Sequence, residues 1–227
     1  MAETRTVAKA RRRPGKVRGK EPQRVQDPDG TRQNIIEVAT REFAEYGLAG
    51  ARIDEIAAKT KSSKRMIYYY FGDKEGLYLQ VLEAAYAEVR ATEATLDLEH
   101  LAPPKALRQL VEMTFDHHAS HEDFIRLVMI ENIHRGSFLS RSKAIQELNV
   151  AAIGTVERVY ARGVKAKLFR AGLDPIDLHW QISALCFFNV SNRATFSGIF
   201  DRELGTKAAQ ARLKEITVQM VERYVAV

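Results

Sequence analysis

The densest chemistry in this chain lies in the thirteen residues KTKSSKRMIYYYF, from Lys59 to Phe71. Ser62, Ser63, Lys64, Arg65, Tyr68, Tyr69 and Tyr70 bring hydroxyl, ammonium, guanidinium and phenol donors together. Such donors hydrogen-bond phosphate oxygens and base edges. Met66, Ile67 and Phe71 add apolar contact, for packing or for a thymine methyl. Lys59, Lys61, Lys64 and Arg65 follow one another with no acid between Glu55 and Asp73. By themselves these residues suit two things equally: a nucleic-acid reader, or an ordinary helical hairpin with a solvated basic face.

A second concentration is imidazole. Four of the six histidines, His117, His118, His121 and His134, fall within eighteen residues. His117 and His121 stand four apart, the spacing of a helical metal pair. No HExxH accompanies them, and Asp116, Glu122 and Asp123 are ordinary acids for exposed helix ends, so no metal is expected. Cys186 lies in an apolar run and reads as a small buried hydrophobe. The chain has no GxSxG, GxxxxGK, GxGxxG or CxxC, so neither an enzyme nor a bound cofactor is expected.

The elements that must position these groups are helical throughout. Ile35, Ile36, Ala39, Phe43 and Ala44 recur at helical spacing from Thr31, and Gly47 stops that helix. Ile53 to Thr60 and Ser63 to Phe71 are two short helices separated at Lys61, with Ser63 as N-cap of the second. Asp73 caps a long helix from Lys74 to about Leu96. Further helices start at Pro103, span Glu122 to His134, and run from about Ser140 to Lys167. One runs from Pro175 to about Ser197, opened by Asp174 as cap, and the last from Thr206 to Tyr224. The expectation is an all-α protein of about nine helices, with no strand and no repeat.

Charge separates the chain into three parts. Of 227 residues with a net charge of +6, residues 1–30 hold nine basic and four acidic side chains. Residues 31–78 carry +1, and residues 79–227 are neutral. The tail has three of the six prolines and almost no large apolar residue, so it is read as a disordered basic arm over 1–28. Such an arm tracks phosphate, enters a minor groove, or is only solvated. The single cysteine forbids an internal disulfide and suits a reducing cytoplasm. No run approaches the roughly 18 apolar residues of a membrane helix. The basic N-terminus lacks the apolar stretch of a secretory signal.

Two short helices joined by a tight turn after a longer helix form a helix-turn-helix, whose second helix lies in the major groove. The whole stretch TRQNIIEVATREFAEYGLAGARIDEIAAKTKSSKRMIYYYFGDKEGLY resembles the N-terminal domain of TetR-family transcriptional regulators. Ile35, Ala39, Phe43, Gly47, Ile56, Ala57, Ser63, Tyr68, Phe71, Lys74, Glu75 and Leu77 carry the resemblance, and YYYFGDKEGL is its most specific part. The resemblance implies a DNA-binding domain over 29–78 and a ligand-binding and dimerisation domain over 79–227. Lys64, Arg65 and Tyr68 to Tyr70 would face DNA, and Lys74 would hold a backbone phosphate. Tyr68 is also readable as partly structural, with its ring in the core. Three positions depart from the family pattern. Lys61 stands where glycine is usual in the turn, which predicts an altered turn. Arg52 replaces a common threonine, exchanging a hydroxyl cap for a phosphate-binding charge. Arg65 replaces a small residue and suits a bidentate guanine contact.

For residues 79–227 the resemblance implies a four-helix bundle made by the last two helices of two copies. Leu178, Ile182, Leu185 and Asn189 make one candidate stripe; Ile216, Met220 and Tyr224 make the other. The same stripes also suit the core of a monomer. A pocket for a small molecule would lie among the middle helices, with His117, His118, Phe124, Met129, Ile133, Tyr160, Trp180, Phe187 and Asn192 as lining candidates and Arg193 as a carboxylate partner. The bland alternative has the asparagines hydrogen-bonding across the dimer. The segments IRLVMIENIHRG and NVSNRATFSGIF more loosely resemble regulators of pyrimidine or nicotinate-type catabolic operons, which implies a small aromatic or heterocyclic acid or amide as effector.

The expectation is therefore a homodimeric repressor on a palindromic double-stranded DNA operator, released by an inducer. The rivals are a ligand-independent or activating DNA-binding regulator and a helical protein-interaction module.

Overall fold

The structure is a computed structural model that describes residues 27–227. The basic arm lies outside these residues except for its last two positions. Ten helices follow one another: α1 (Pro28–Gly50), α2 (Ile53–Thr60), α3 (Lys64–Phe71), α4 (Lys74–Ala94), α5 (Pro103–Ser120), α6 (Glu122–Ile133), α7 (Lys143–Lys165), α8 (Pro175–Ser191), α9 (Arg193–Phe200) and α10 (Lys207–Val225). A single 3-10 turn, Leu139–Arg141, precedes α7. The tenth helix arises because the expected Pro175-to-Ser197 helix breaks at Asn192, whose backbone leaves helical geometry and starts α9. Among the described residues no strand forms, only one antiparallel bridge between Phe169 and Ala226.

Local signals set the helix ends. Asp27 Oδ1 accepts from the Gly30 amide at 2.9 Å and Asp73 Oδ1 from the Gly76 amide at 2.7 Å. Each satisfies one of the orphan donors of a helix start. Inside α1, Gly47 takes φ 67°, a left-handed value open to glycine, so the helix breaks there and resumes for one more turn.

Two apolar cores hold the molecule. The first joins Ile35, Ala39 and Phe43 of α1 to Ile56 of α2, Ile67 and Phe71 of α3, and Leu77, Tyr78, Val81 and Leu82 of α4. Leu127 of α6 and Ile145 of α7 complete it. The core therefore crosses the expected boundary at residue 78. The second gathers Leu107, Leu110, Val111 and Phe115 of α5, Val156, Val159 and Tyr160 of α7, Leu178, Ile182 and Cys186 of α8, and Val218 and Val221 of α10.

Two polar ties fix the join, and a third holds a loop within the second core. Buried Glu131 on α6 accepts from the Tyr78 hydroxyl and from the amides of Phe138 and Leu139, each at 3.1 Å. Arg126 Nε donates to the Ala44 carbonyl at 2.8 Å, binding α6 to α1. Arg162 holds the carbonyls of Leu98 and Leu101, which anchors the loop between α4 and α5.

One close approach in the second core requires glycine. A Cβ placed on Gly163 would sit 1.9 Å from Cδ2 of the buried Phe169 ring. Gly163→Ala is expected to lower stability by about 1–3 kcal/mol, read from chemical denaturation midpoints.

Candidate nucleic-acid interface

The turn between α2 and α3 adopts the left-handed geometry despite its lysine. Lys61 has φ 53° and ψ 27°, and its amide returns to the Ala58 carbonyl. The altered turn expected from that departure does not occur. The strain of about 1–2 kcal/mol is borne by a lysine instead of being avoided by glycine. Ser63 then caps α3, its Oγ accepting from the Met66 amide at 3.1 Å.

α3 presents one face outward. Ile67 and Phe71 are buried, while Lys64, Arg65, Met66, Tyr68 and Tyr69 are exposed, Tyr69 at 80%. Tyr70 is half-buried and packs against the first core. The structural tyrosine is thus Tyr70, while the Tyr68 ring lies at the surface. Ser62 is half-buried in the turn.

The flanking charges are tethered. Lys64 Nζ lies 2.6 Å from Asp54 Oδ1. Lys74 Nζ donates to the Ala49 carbonyl at 3.3 Å, joining the start of α4 to the end of α1. Arg52 is exposed at the N-cap of α2 without a capping side chain. Behind this surface Glu42, which is buried, accepts from Lys59 Nζ at 2.8 Å and from the Arg52 amide at 3.4 Å. It fixes α2 against α1. Arg65 makes no ion pair among the described residues and projects freely from the outer face of α3.

The comparisons with known proteins fit this geometry. Residues 35–81 match the family model "Bacterial regulatory proteins, tetR family", and residues 103–221 match "Tetracyclin repressor-like, C-terminal domain". The chain belongs to the TetR family. It is 37% identical to the HTH-type transcriptional repressor NicS of Pseudomonas putida over 188 residues, covering 83% of this chain and 89% of that one. It is 34% identical to the HTH-type transcriptional repressor SCO4008 of Streptomyces coelicolor, over 62% of this chain and 70% of that one. Two solved structures share the fold. A TetR family transcription regulator from Marinobacter aquaeolei VT8 has a TM-score of 0.67 at 19% identity, with 87% and 96% covered. AibR, in a complex with isovaleryl coenzyme A and operator DNA, has a TM-score of 0.65 at 15% identity, with 84% and 97% covered.

Family membership makes this chain a DNA-binding helix-turn-helix regulator and not an enzyme. In this TetR-family protein no helix among the described residues is long and apolar enough to cross a membrane.

The effector candidates of the larger domain scatter. A narrow cavity of about 30 Å3 lies between α4, α5, α7 and α8, lined by Arg90, Glu93, His118, His179 and the apolar Leu110, Met113, Val156 and Ile182. His118 is the candidate that lines it. His117 is buried beside His118 and stacks on His121, with ring centroids 4.0 Å apart. Phe124 tilts against His118. Tyr160 is taken up structurally, donating to the Arg170 carbonyl at 2.8 Å and accepting from the Leu173 amide at 2.9 Å.

Met129 and Ile133 lie exposed in an open groove beside the end of α1. Trp180 is exposed on α8, and Phe187 is half-buried there outside the cavity. Asn192 and Arg193 line a separate depression of about 240 Å3 between α8, α9 and α10, and Arg193 pairs with Glu122. Reading the sequence missed Arg90, Glu93 and His179. An arginine and a glutamate three apart look like any exposed helical pair.

Of the candidate dimer stripes, Leu178 and Ile182 belong to the monomer's own core. Asn189 exchanges two hydrogen bonds with Gln210 of the same chain, at 2.9 and 3.1 Å. Apolar residues are spread around α8 and not confined to one stripe, so periodicity alone could not choose its outward apolar face. That face is Ile176, Trp180 and Phe188. It adjoins Phe196, Ile199 and Phe200 of α9 and the expected Ile216, Met220 and Tyr224 of α10, all exposed.

Burial holds His117 and His118 at a pKa of about 4, below the usual 6.5, with neighbouring histidine and Arg90 adding to the effect. Their neutral forms are the folded ones, and the unfolded chain takes up more protons between those values. Stability should be full above pH 6.5 and fall progressively toward about pH 4. His118→Gln should flatten that profile in pH-dependent thermal unfolding.

Proposed function

We propose that this protein is a cytoplasmic homodimeric repressor that holds a palindromic operator and is released by a small aromatic or heterocyclic acid. The observation that carries the reading is the course of α4. Its first half is built into the core of the reading head, and its last turns carry Arg90 and Glu93 to the wall of the polar cavity. A ligand that favours one position of α4 changes the spacing of two reading heads, and it does so only through unequal affinity for the two states.

Two copies are needed to read a palindrome with half-sites one turn apart, about 34–36 Å. The exposed apolar surface of α8, α9 and α10 is the face on which the second copy would pack. Lys64, Arg65, Tyr68 and Tyr69 are the groups that would meet the major groove. Lys74, Arg52, Ser62 and Ser63 lie where backbone phosphate would pass.

A second reading keeps the DNA binding and drops the ligand. The small volume of the narrow cavity favours it, since about 30 Å3 holds little more than one water. The unpartnered polar atoms on the cavity wall favour the first. A footprint on DNA flanking the gene, repeated with a panel of small acids, separates them. Protection of a palindrome that one compound abolishes is expected, and protection indifferent to every compound establishes the ligand-independent regulator.

Two variants probe the reading head itself. Arg65→Ala should weaken operator binding by about 1–3 kcal/mol and relax preference at one base pair, with unfolding unchanged. Deletion of residues 1–24 should weaken binding and flatten its salt dependence while sequence preference persists. Fluorescence anisotropy across salt concentrations measures both effects.

A further inference from the structure

Arg90 and Glu93 form an ion pair on the last turns of α4, facing α5, α7 and α8. Glu93 is 8% exposed, and Arg90 is its side-chain hydrogen-bond partner. This is a poor place for a carboxylate. Burial pushes its pKa up, and it stands at a helix C-terminus, where the dipole disfavours negative charge. The guanidinium of Arg90 is what holds it there.

Around the pair, other polar atoms lack partners among the described residues. Arg90 Nε is buried and unpartnered, and so is Nδ1 of His118, a residue only 7% exposed. A buried donor left unpaired has lost its water without replacement, a cost that a bound polar ligand would recover. Leu110, Met113, Val156 and Ile182 supply apolar walls on the other sides.

We infer that Arg90 is the receptor for the carboxylate of the effector, and that Glu93 is a built-in competitor which occupies Arg90 until the acid displaces it. This rests on the ligand-responsive reading above and deepens it by separating acids from amides. The displaced Glu93 turns toward solvent at the end of α4. The acid's ring then takes space between α4 and the α5, α7 and α8 walls, with His118 Nδ1 beside a polar ring substituent. The cavity is too small for a ring while Glu93 is in place. Binding and movement of α4 are therefore one event. A second carboxylate cannot share the site with a buried Glu93, because two like charges would face one guanidinium.

Benzoate and its neutral counterpart benzamide serve as probes, titrated calorimetrically into the full chain as wild type, Glu93→Gln and Arg90→Gln. Benzoate should bind the wild type in the millimolar range. It should bind Glu93→Gln about tenfold more tightly, because the competing state is removed. Arg90→Gln should not bind it, and benzamide should bind none of the three. Equal binding of benzoate and benzamide to the wild type overturns the inference without reliance on any variant. Benzoate binding retained in Arg90→Gln, or not strengthened in Glu93→Gln, overturns it as well. The operator footprint, repeated with the panel of small compounds, keeps the two levels apart. If any compound releases the operator while the acid site fails, only this inference falls; if the operator is bound and no compound releases it, the ligand-responsive reading falls.

Discussion

The structure depends on α4 being buried at both ends in different surroundings. Leu77, Tyr78, Val81 and Leu82 are locked into the apolar core of the reading head. About 17–24 Å further along the same helix, Glu93 pairs with Arg90 at a small cavity of the larger domain. A helix with its hydrogen bonds intact does not absorb displacement along its length, so a change at one end moves the other. Asp73 caps the near end and Lys74 ties it to the end of α1, so that movement reaches the frame on which α3 sits.

The polar ties around α4 have a common character. Glu131 collects a tyrosine hydroxyl and two backbone amides, and Glu42 collects a lysine and one amide. Both are buried carboxylates in which each oxygen has a partner, so each joins two helices at a defined spacing. The Arg90–Glu93 pair differs. It leaves Arg90 Nε without a partner and stands beside an unpartnered His118 Nδ1, so among the described residues it is an incompletely satisfied network on the helix. Networks of the first kind set geometry. One of the second kind has something to gain from another state.

The near neutrality of the reading head, +1 over residues 31–78, acquires a structural meaning. Lys59 and Lys64 face Glu42 and Asp54, so much of the positive charge around α3 is already paired inside the protein. Arg65 and the outward hydroxyls of Tyr68 and Tyr69 are left unencumbered on the exposed face. On the proposed reading, discrimination would rest on these few groups.

Much was legible from local chemistry alone. Caps, prolines and glycines marked helix starts and stops at Asp73, Ser63, Gly47 and Pro175, because those signals act within one turn of chain. The helix-turn-helix and its outward donors were readable for the same reason: Ile67 and Phe71 fall on one face of α3 and Arg65 and Tyr69 on the opposite one. Lys61 showed a limit, since packing of α2 and α3 imposed a left-handed backbone that lysine does not prefer. The break at Asn192, the outward face of α8 and the burial of Arg90 and Glu93 were decided only in three dimensions. α8 has apolar residues on more than one side and Arg90 with Glu93 looks like a surface pair, so nothing within either helix says which neighbours arrive. The sequence by itself determined an all-helical chain with a DNA-reading head. Tertiary packing decided which charged pair was enclosed and which apolar face was left uncovered, because burial is a property of what the rest of the chain brings alongside.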